Sequence, residues 1–255
     1  MKKRRFTFLS VAFIGFIVMS FSMLQRSFKE DQKRYPRVRT AYAQKSEVIK
    51  NQLLAKGLKL DGLQIYLRVF KFEKELELWG RNSNIEKFKK IKTVEVCATS
   101  GKLGPKRKQG DLQIPEGFYH IDRFNPVSNF YLSLGINYPN KSDRILGVKS
   151  RLGGDIFIHG DCVTIGCVPI TDNLIKELYV YCVEAKNQGQ KSIPVTIFPA
   201  KLSADKYAVL KENAQNEGDK LNLWKSLKKG YDLFDKNRKL PSIQFLPSGQ
   251  YQVGE

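Results

Sequence analysis

The sequence predicts a mostly β domain with one or two packed helices, preceded by an N-terminal membrane-anchor helix and followed by a helical C-terminal extension. Three observations carry this expectation. Short runs rich in β-branched and aromatic residues recur between residues 61 and 199, set apart by turns of glycine, proline and charge. One segment after that region's cysteines has clear helical periodicity, with Leu174, Leu178, Cys182 and Ala185 on one face. An uncharged run from Phe6 to Leu24 follows Lys2, Lys3, Arg4 and Arg5, and about 20 such residues cross a bilayer as a helix.

Taken in order, residues 1–25 form a signal anchor or signal peptide. The uncharged run exceeds the usual h-region of a signal peptide, and no small-x-small cleavage site follows it directly, so an uncleaved anchor is favoured. Basic residues flank it on both sides, which leaves its orientation open on charge alone. Residues 26–60 read as a basic linker ending in a short amphipathic helix, with Val48, Leu53, Leu54 and Leu58 at loosely helical spacing.

Strands are expected at QIYLRVF and ELELW, separated by a charged turn, and at KTVEVCATSG. The glycines, Pro105 and basic residues of KLGPKRKQGD impose a loop. GFYHID and NFYLSLGINYP add extended, aromatic segments. GDIFIHG is a short strand with Ile156 and Ile158 on one face and Phe157 and His159 on the other. The helix begins near Thr171-Asp172, either of which could cap it, and Asn187 to Gly189 end it before the strand IPVTIFPA. Residues 200–255 are Lys-rich, with helices expected around SADKYAVLKENA and LNLWKSLKKGYDLF.

The balance of 44 basic against 25 acidic residues gives a net charge of +19, which draws a protein to anionic surfaces such as membrane or acidic wall polymer. A nucleic-acid partner is not expected, because no basic helix, zinc-finger spacing or RNP-like aromatic motif is present. Four cysteines make no disulfide framework.

The chemistry concentrates in IHGDCVTIGC. His159 stands at a strand end and Cys167 eight residues later, behind Gly166 and ahead of the helix. An imidazolium and a helix N-terminus both lower a thiol pKa, and glycine beside a nucleophile leaves backbone N–H groups open to a developing oxyanion. Base, nucleophile, glycine-flanked amides and helix start are the parts of an acyl-transfer centre. Competing readings exist. His159, Cys162 and Cys167 could ligate zinc, although the spacing H-x2-C-x4-C matches no common site. A Cys162–Cys167 disulfide would disable the nucleophile. Cys97 and Cys182 read as small buried residues, with pairing between them open. His120 reads as a strand residue. No metal and no cofactor are expected.

These segments together resemble a known family. SGKLGPKRKQGDLQIPEGFYHI is similar to the strand-loop-strand of the L,D-transpeptidase (YkuD-type) catalytic domain, NYPN..D ending at Asp143 to another of its segments, and IHG……T.GC to its two-part active-site signature. The resemblance spans about residues 62 to 198 and is closest to the branch of periplasmic enzymes acting at diaminopimelate. It implies a mostly-β sandwich in which Cys167 is the nucleophile, His159 its imidazole partner, and Gly160, Thr164 and Gly166 shape the pocket. It further implies a peptidoglycan stem peptide containing diaminopimelate as acyl donor and an amine, or a wall-linked protein, as the other partner.

Two positions depart from the family pattern. Ile165 stands where most members carry a second histidine, so the base role falls on His159. Val168 and Pro169 stand where an arginine usually follows the cysteine, which leaves Lys149 or Arg151 as cationic contacts for the substrate carboxylate. The implied function is a cell-envelope cysteine acyltransferase, with a hydrolytic amidase or L,D-carboxypeptidase as the alternative and a non-catalytic wall-binding module as a third reading. An envelope substrate would put the domain outside the cytoplasmic membrane, anchored by residues 6–24 or secreted.

Overall fold

In chain order the elements are helices α1 (Phe28–Lys33) and α2 (Pro36–Leu54), strands β1 (Gln64–Phe70), β2 (Glu75–Arg81), β3 (Lys89–Glu95), β4 (Gly117–Asn125) and β5 (Ser133–Ile136), then helix α3 (Lys141–Leu146). They continue with β6 (Phe157–His159), β7 (Val168–Pro169), helix α4 (Asp172–Asn187), β8 (Ile193–Phe198), helices α5 (Ala204–Asn213) and α6 (Gly218–Asn237), and the hairpin β9 (Ser242–Phe245) and β10 (Tyr251–Gly254). The computed structural model describes residues 26–255. The expected anchor over residues 6–24 lies outside the described residues, among which no helix is long and apolar enough to cross a membrane.

Eight strands form one sheet in the order β3-β2-β1-β8-β4-β5-β6-β7. Most neighbours are antiparallel, with β1·β8 and β6·β7 parallel. Strand alternation sorts the side chains of β1 onto two faces. Ile65, Leu67 and Val69 join the main core with Val38, Ile49, Ile175 and Tyr179 of the helices α2 and α4. Tyr66 and Phe70 point the other way, toward α6, where Tyr66 meets Phe234 at 5.0 Å between ring centroids and Phe70 clusters with Trp224 and Leu227.

Two regions differ from the sequence expectation. Residues 26–60 are not a linker with a short helix at its end. Pro36 starts a 19-residue helix, and Val38, Ala41, Tyr42, Lys45, Ile49 and Leu53 are buried, a 3.6-residue repeat masked in the sequence by interleaved charges. Likewise, residues 200–255 are part of the folded unit, because α6 covers the second face of the sheet.

Arg68 shows how tightly that cover fits. Its side chain is 3% exposed and pairs with Asp235 of α6 at 2.8 Å, while its guanidinium lies 4.6 Å from the ring of Tyr231 and 5.1 Å from that of Phe234. Cation–π contact of this kind holds a charge that has left water.

The helix α6 also fixes the loop 99–114. Arg107 donates through Nε and Nη2 to both carboxylate oxygens of Asp219, at 2.8 and 2.9 Å. Buried Glu116 accepts from the Trp224 indole at 2.7 Å and from the Gly104 N–H at 2.6 Å, and pairs with Lys71 at 2.9 Å. The Lys71 ammonium donates in addition to the carbonyls of Lys102, Gly104 and Ile114. Trp224→Phe removes the indole donor together with part of a buried ring, and is expected to cost at least roughly 1.5–3 kcal/mol, the range for a hydrogen bond to a charged group, with the lost volume adding to it. Urea denaturation measures it, and a loss below 0.5 kcal/mol, about a third of the lower bound, would show that the loop is held elsewhere.

Candidate active site

The strands β6 and β7 run side by side with Ile158 next to Val168 and His159 next to Pro169. One step back along that register sets Cys167 beside Phe157, whose N–H donates to the Cys167 Sγ at 3.4 Å. Ile158 and Val168 are wholly buried in the core. Alternation therefore turns His159 and Cys167 to the opposite face, where they are diagonal neighbours on adjacent strands.

The imidazole is fixed. His159 is 1% exposed, its ring lies against Phe130 at 4.5 Å between centroids, and its Nδ1 contacts the carbonyl oxygen of Gly160. A carbonyl only accepts, so Nδ1 carries the proton and Nε2 keeps its lone pair. Burial also pushes the His159 pKa below the ordinary imidazole value, opposed by the Gly160 hydrogen bond and the charge of Asp161. The thiol moves the other way. Burial pushes Cys167 above the ordinary thiol range, against the Phe157 N–H and the positive charge of Lys106, which both favour the thiolate.

This corrects the expectation of a thiolate held by an imidazolium and a helix N-terminus. Cys167 does not abut the helix: β7, Ile170 and the N-cap Thr171 separate it from α4. Burial favours the neutral form of each partner.

The loop between them is built by local hydrogen bonds. The Thr164 hydroxyl donates to the Cys167 carbonyl at 2.8 Å and accepts from the Gly166 N–H at 3.1 Å. Thr164 thus shapes the turn, and the Gly166 N–H is engaged rather than open to an oxyanion. Gly166 adopts φ +139°, and a Cβ there would lie 3.1 Å from the Gln113 carbonyl of the loop 99–114. At Gly160 a Cβ would come within 2.5 Å of Asp172 Oδ1 and 2.8 Å of the Phe130 carbonyl. Both glycines permit close approach.

The remaining cysteines settle differently from either pairing weighed in the sequence. Cys97, just past the end of β3, is disulfide-bonded to Cys162, and Cys167 and Cys182 are free. The Cys97 N–H also bonds the Pro169 carbonyl at 3.1 Å. The bridge ties the 160–167 loop to the segment after β3 and leaves Cys167 unencumbered. No group of three or more His, Cys, Asp or Glu suited to a metal occurs among the described residues.

Lys149 and Arg151 lie exposed on the loop after α3. Two cations missed in the sequence are tied to the surroundings of the sulfur. Lys106, whose field reaches Cys167, is buried and paired with Asp111 at 2.5 Å. Arg123 lies over the Phe157 ring at 4.8 Å and pairs with Asp155 at 2.7 Å, and the Asp155 carbonyl is 3.7 Å from the Cys167 Sγ. Arg123 belongs to β4, more than forty residues before the cysteine, so only the strand order brings it here. His120, also on β4, lies away from the pair, as expected of a strand residue.

Fold and site together define an L,D-transpeptidase-like protein. A family model described as the L,D-transpeptidase catalytic domain (YkuD) matches residues 65–197, and the chain belongs to this family. It is 34% identical over 203 residues to the protein named "Putative L,D-transpeptidase YafK" of Escherichia coli strain K12, an alignment covering 77% of this chain and 76% of that one. Among solved structures, the helical cell shape determining protein Pgp2 of Campylobacter jejuni aligns at 20% identity and a TM-score of 0.43, over 73% of this chain and 74% of its own. Bd1075 of Bdellovibrio bacteriovorus aligns at 21% identity and a TM-score of 0.39, over 71% and 76% of the two chains.

Proposed function

We propose that this protein is a cysteine acyltransferase acting on peptidoglycan stem peptides, with Cys167 as nucleophile and His159 as base. The observation that carries the reading is the shared face of β6 and β7, where a free thiol lies diagonally from an imidazole whose Nδ1 is committed to the Gly160 carbonyl. With Nε2 unprotonated, His159 takes the thiol proton as sulfur attacks the carbonyl after the L-centre of diaminopimelate. The C–N bond breaks, the imidazolium returns the proton to the leaving amine, and a thioester remains on Cys167. An acceptor amine then resolves it to a new amide, or water to a carboxylate. Arg123, with Lys149 and Arg151 farther out, supplies the positive charge for a substrate carboxylate.

Placement outside the cytoplasm is part of the proposal. The Cys97–Cys162 bridge, with Cys162 at the surface, supports an oxidising compartment, and residues 6–24 would anchor the chain there.

Incubation with a carbapenem, a thiol-directed β-lactam, tests the nucleophile. Mass spectrometry is expected to find one adduct per chain on the Cys167 peptide, lost in Cys167→Ala. A wild-type protein that takes no label would favour the wall-binding module. Because burial favours both neutral forms, alkylation by iodoacetamide should be slow at pH 7 and rise with an inflection above that of an ordinary thiol. An inflection well below that value would mean a preformed ion pair.

A further inference from the structure

On the same side of the sheet as Cys167, β9 and the residues before it border an open cavity of about 330 Å³ over the central strands. Its floor is β1, β8 and β4, through Tyr66, Thr196 and His120, and its far wall comes from Leu240, Ile243 and Phe245. Alternation fixes the side. Ile121 of β4 and Ile158 of β6 belong to the main core, so His120 and Cys167 both face away from it.

The lining is unusual for this chain. Not one of its 11 residues is Lys, Arg, Asp or Glu, in a protein with 44 basic and 25 acidic residues. What it offers instead is aromatic and aliphatic surface from Phe118, Phe245 and Ile243, with neutral hydrogen-bonding groups among them. The Asn137 Oδ1 accepts from the His120 backbone N–H at 2.8 Å, which leaves the Asn137 amide NH₂ free to donate, and His120 and Asn137 both line the cavity. Tyr66 OH donates to the Thr196 Oγ1 at 2.8 Å, which leaves the Thr196 hydroxyl hydrogen as a donor. Apolar faces with a few convergent neutral donors and acceptors fit a pyranose ring, whose C–H face stacks on aromatics while its hydroxyl and acetamido groups hydrogen-bond. A phosphate, a carboxylate or a nucleotide would find no Lys or Arg as counter-charge.

We infer that this cavity binds a neutral N-acetylated sugar unit of the glycan strand that carries the stem peptide. The inference rests on the peptidoglycan reading above and names the part of the substrate that reading leaves open. The register sets Arg123 level with Cys167, so His120 lies three strands across and three residues along, roughly 17 Å from the sulfur at about 4.8 Å per strand and 3.3 Å per residue. Three extended stem residues cover roughly 11 Å of this, and the sugar with its linkage to the stem must span the rest.

The test uses the full chain and chitotetraose, an uncharged N-acetylglucosamine oligomer. Saturation-transfer NMR and calorimetry should show its acetamido and ring protons in contact with the wild-type protein, with affinity at least tenfold weaker in Phe245→Ala and in His120→Ala and unchanged in Cys167→Ala. Both replaced side chains are half-buried, and thermal melts confirm that each variant is folded. In turnover, a disaccharide-linked stem should be used at least five times more efficiently than the same peptide without sugar, an advantage lost in either cavity variant. Absence of chitotetraose binding by wild-type protein would overturn the inference, as would occupancy of the cavity by laurate in its place. Binding of the sugar without any carbapenem adduct on Cys167 would uphold the cavity assignment and strike the enzymatic reading alone.

Discussion

Replacing Cys167 with alanine is expected to reduce turnover of wall fragments to background, a loss of at least a thousandfold, while the melting temperature stays within about 2 °C. The size of the effect follows from covalent catalysis: with no sulfur there is no thioester, and the route through two easier steps is closed. The small stability change follows from position. Cys167 is half-buried just before a two-residue strand, and its Sγ makes only two long hydrogen bonds, accepting from the Phe157 N–H and donating to the Asp155 carbonyl. His159→Ala should be comparably inactive, since it removes the imidazole diagonal to the sulfur, but less innocuous to the fold, because the ring is buried against Phe130. Wild-type turnover in Cys167→Ala would refute the nucleophile. Normal activity in His159→Ala would transfer the base role to water or to another residue.

The second large effect concerns the bridge. Cys97 and Cys162 are 65 residues apart in sequence, and closing a loop of that length restricts the unfolded chain by roughly 3–4 kcal/mol. For a domain of this size that corresponds to a fall in melting temperature of roughly 6–15 °C on reduction or in the Cys97→Ser/Cys162→Ser variant. Activity should fall as well, because the bridge pins the 160–167 loop to the segment whose Cys97 N–H bonds the Pro169 carbonyl. Thiol titration of the denatured, unreduced protein should find two free groups, Cys167 and Cys182. Four free thiols, or a melt indifferent to dithiothreitol, would remove the bridge from the account.

How much of this was readable beforehand depends on the range of the interactions involved. The strand QIYLRVF is β1 residue for residue, and the helix after Thr171 ends at Asn187 as its periodicity requires, because both signals are local. The alternation in GDIFIHG likewise put Ile158 inside and His159 with Phe157 on the other face. What stayed hidden is carried by pairings across the chain. Nothing near Cys97 announces Cys162 as its partner. Arg123 reaches the sulfur only because β4, β5, β6 and β7 are neighbours in the sheet. The thiol's upward shift is a matter of burial, which a motif cannot display; from spacing alone the same His and Cys suggested an ion pair. The Lys-rich C-terminal region reads as an extension because its apolar positions, Trp224, Leu227 and Phe234, are diluted by lysines, yet they close the second face of the sheet.

The hairpin after α6 escaped detection for a related reason. Its strands are four residues each, too short for alternation to stand out, and Tyr251 and Val253 become core residues only once α6 and the sheet have come together.

The most direct test of the central claim is to stop the reaction of wild-type protein with a stem tetrapeptide by acid and to map the peptides by mass spectrometry. The account predicts a stem-tripeptide acyl group on Cys167, with D-alanine released in equal amount and hydroxylamine removing the adduct. Consumption of the tetrapeptide with no acyl group on Cys167, or an adduct carried by a different residue, would contradict it.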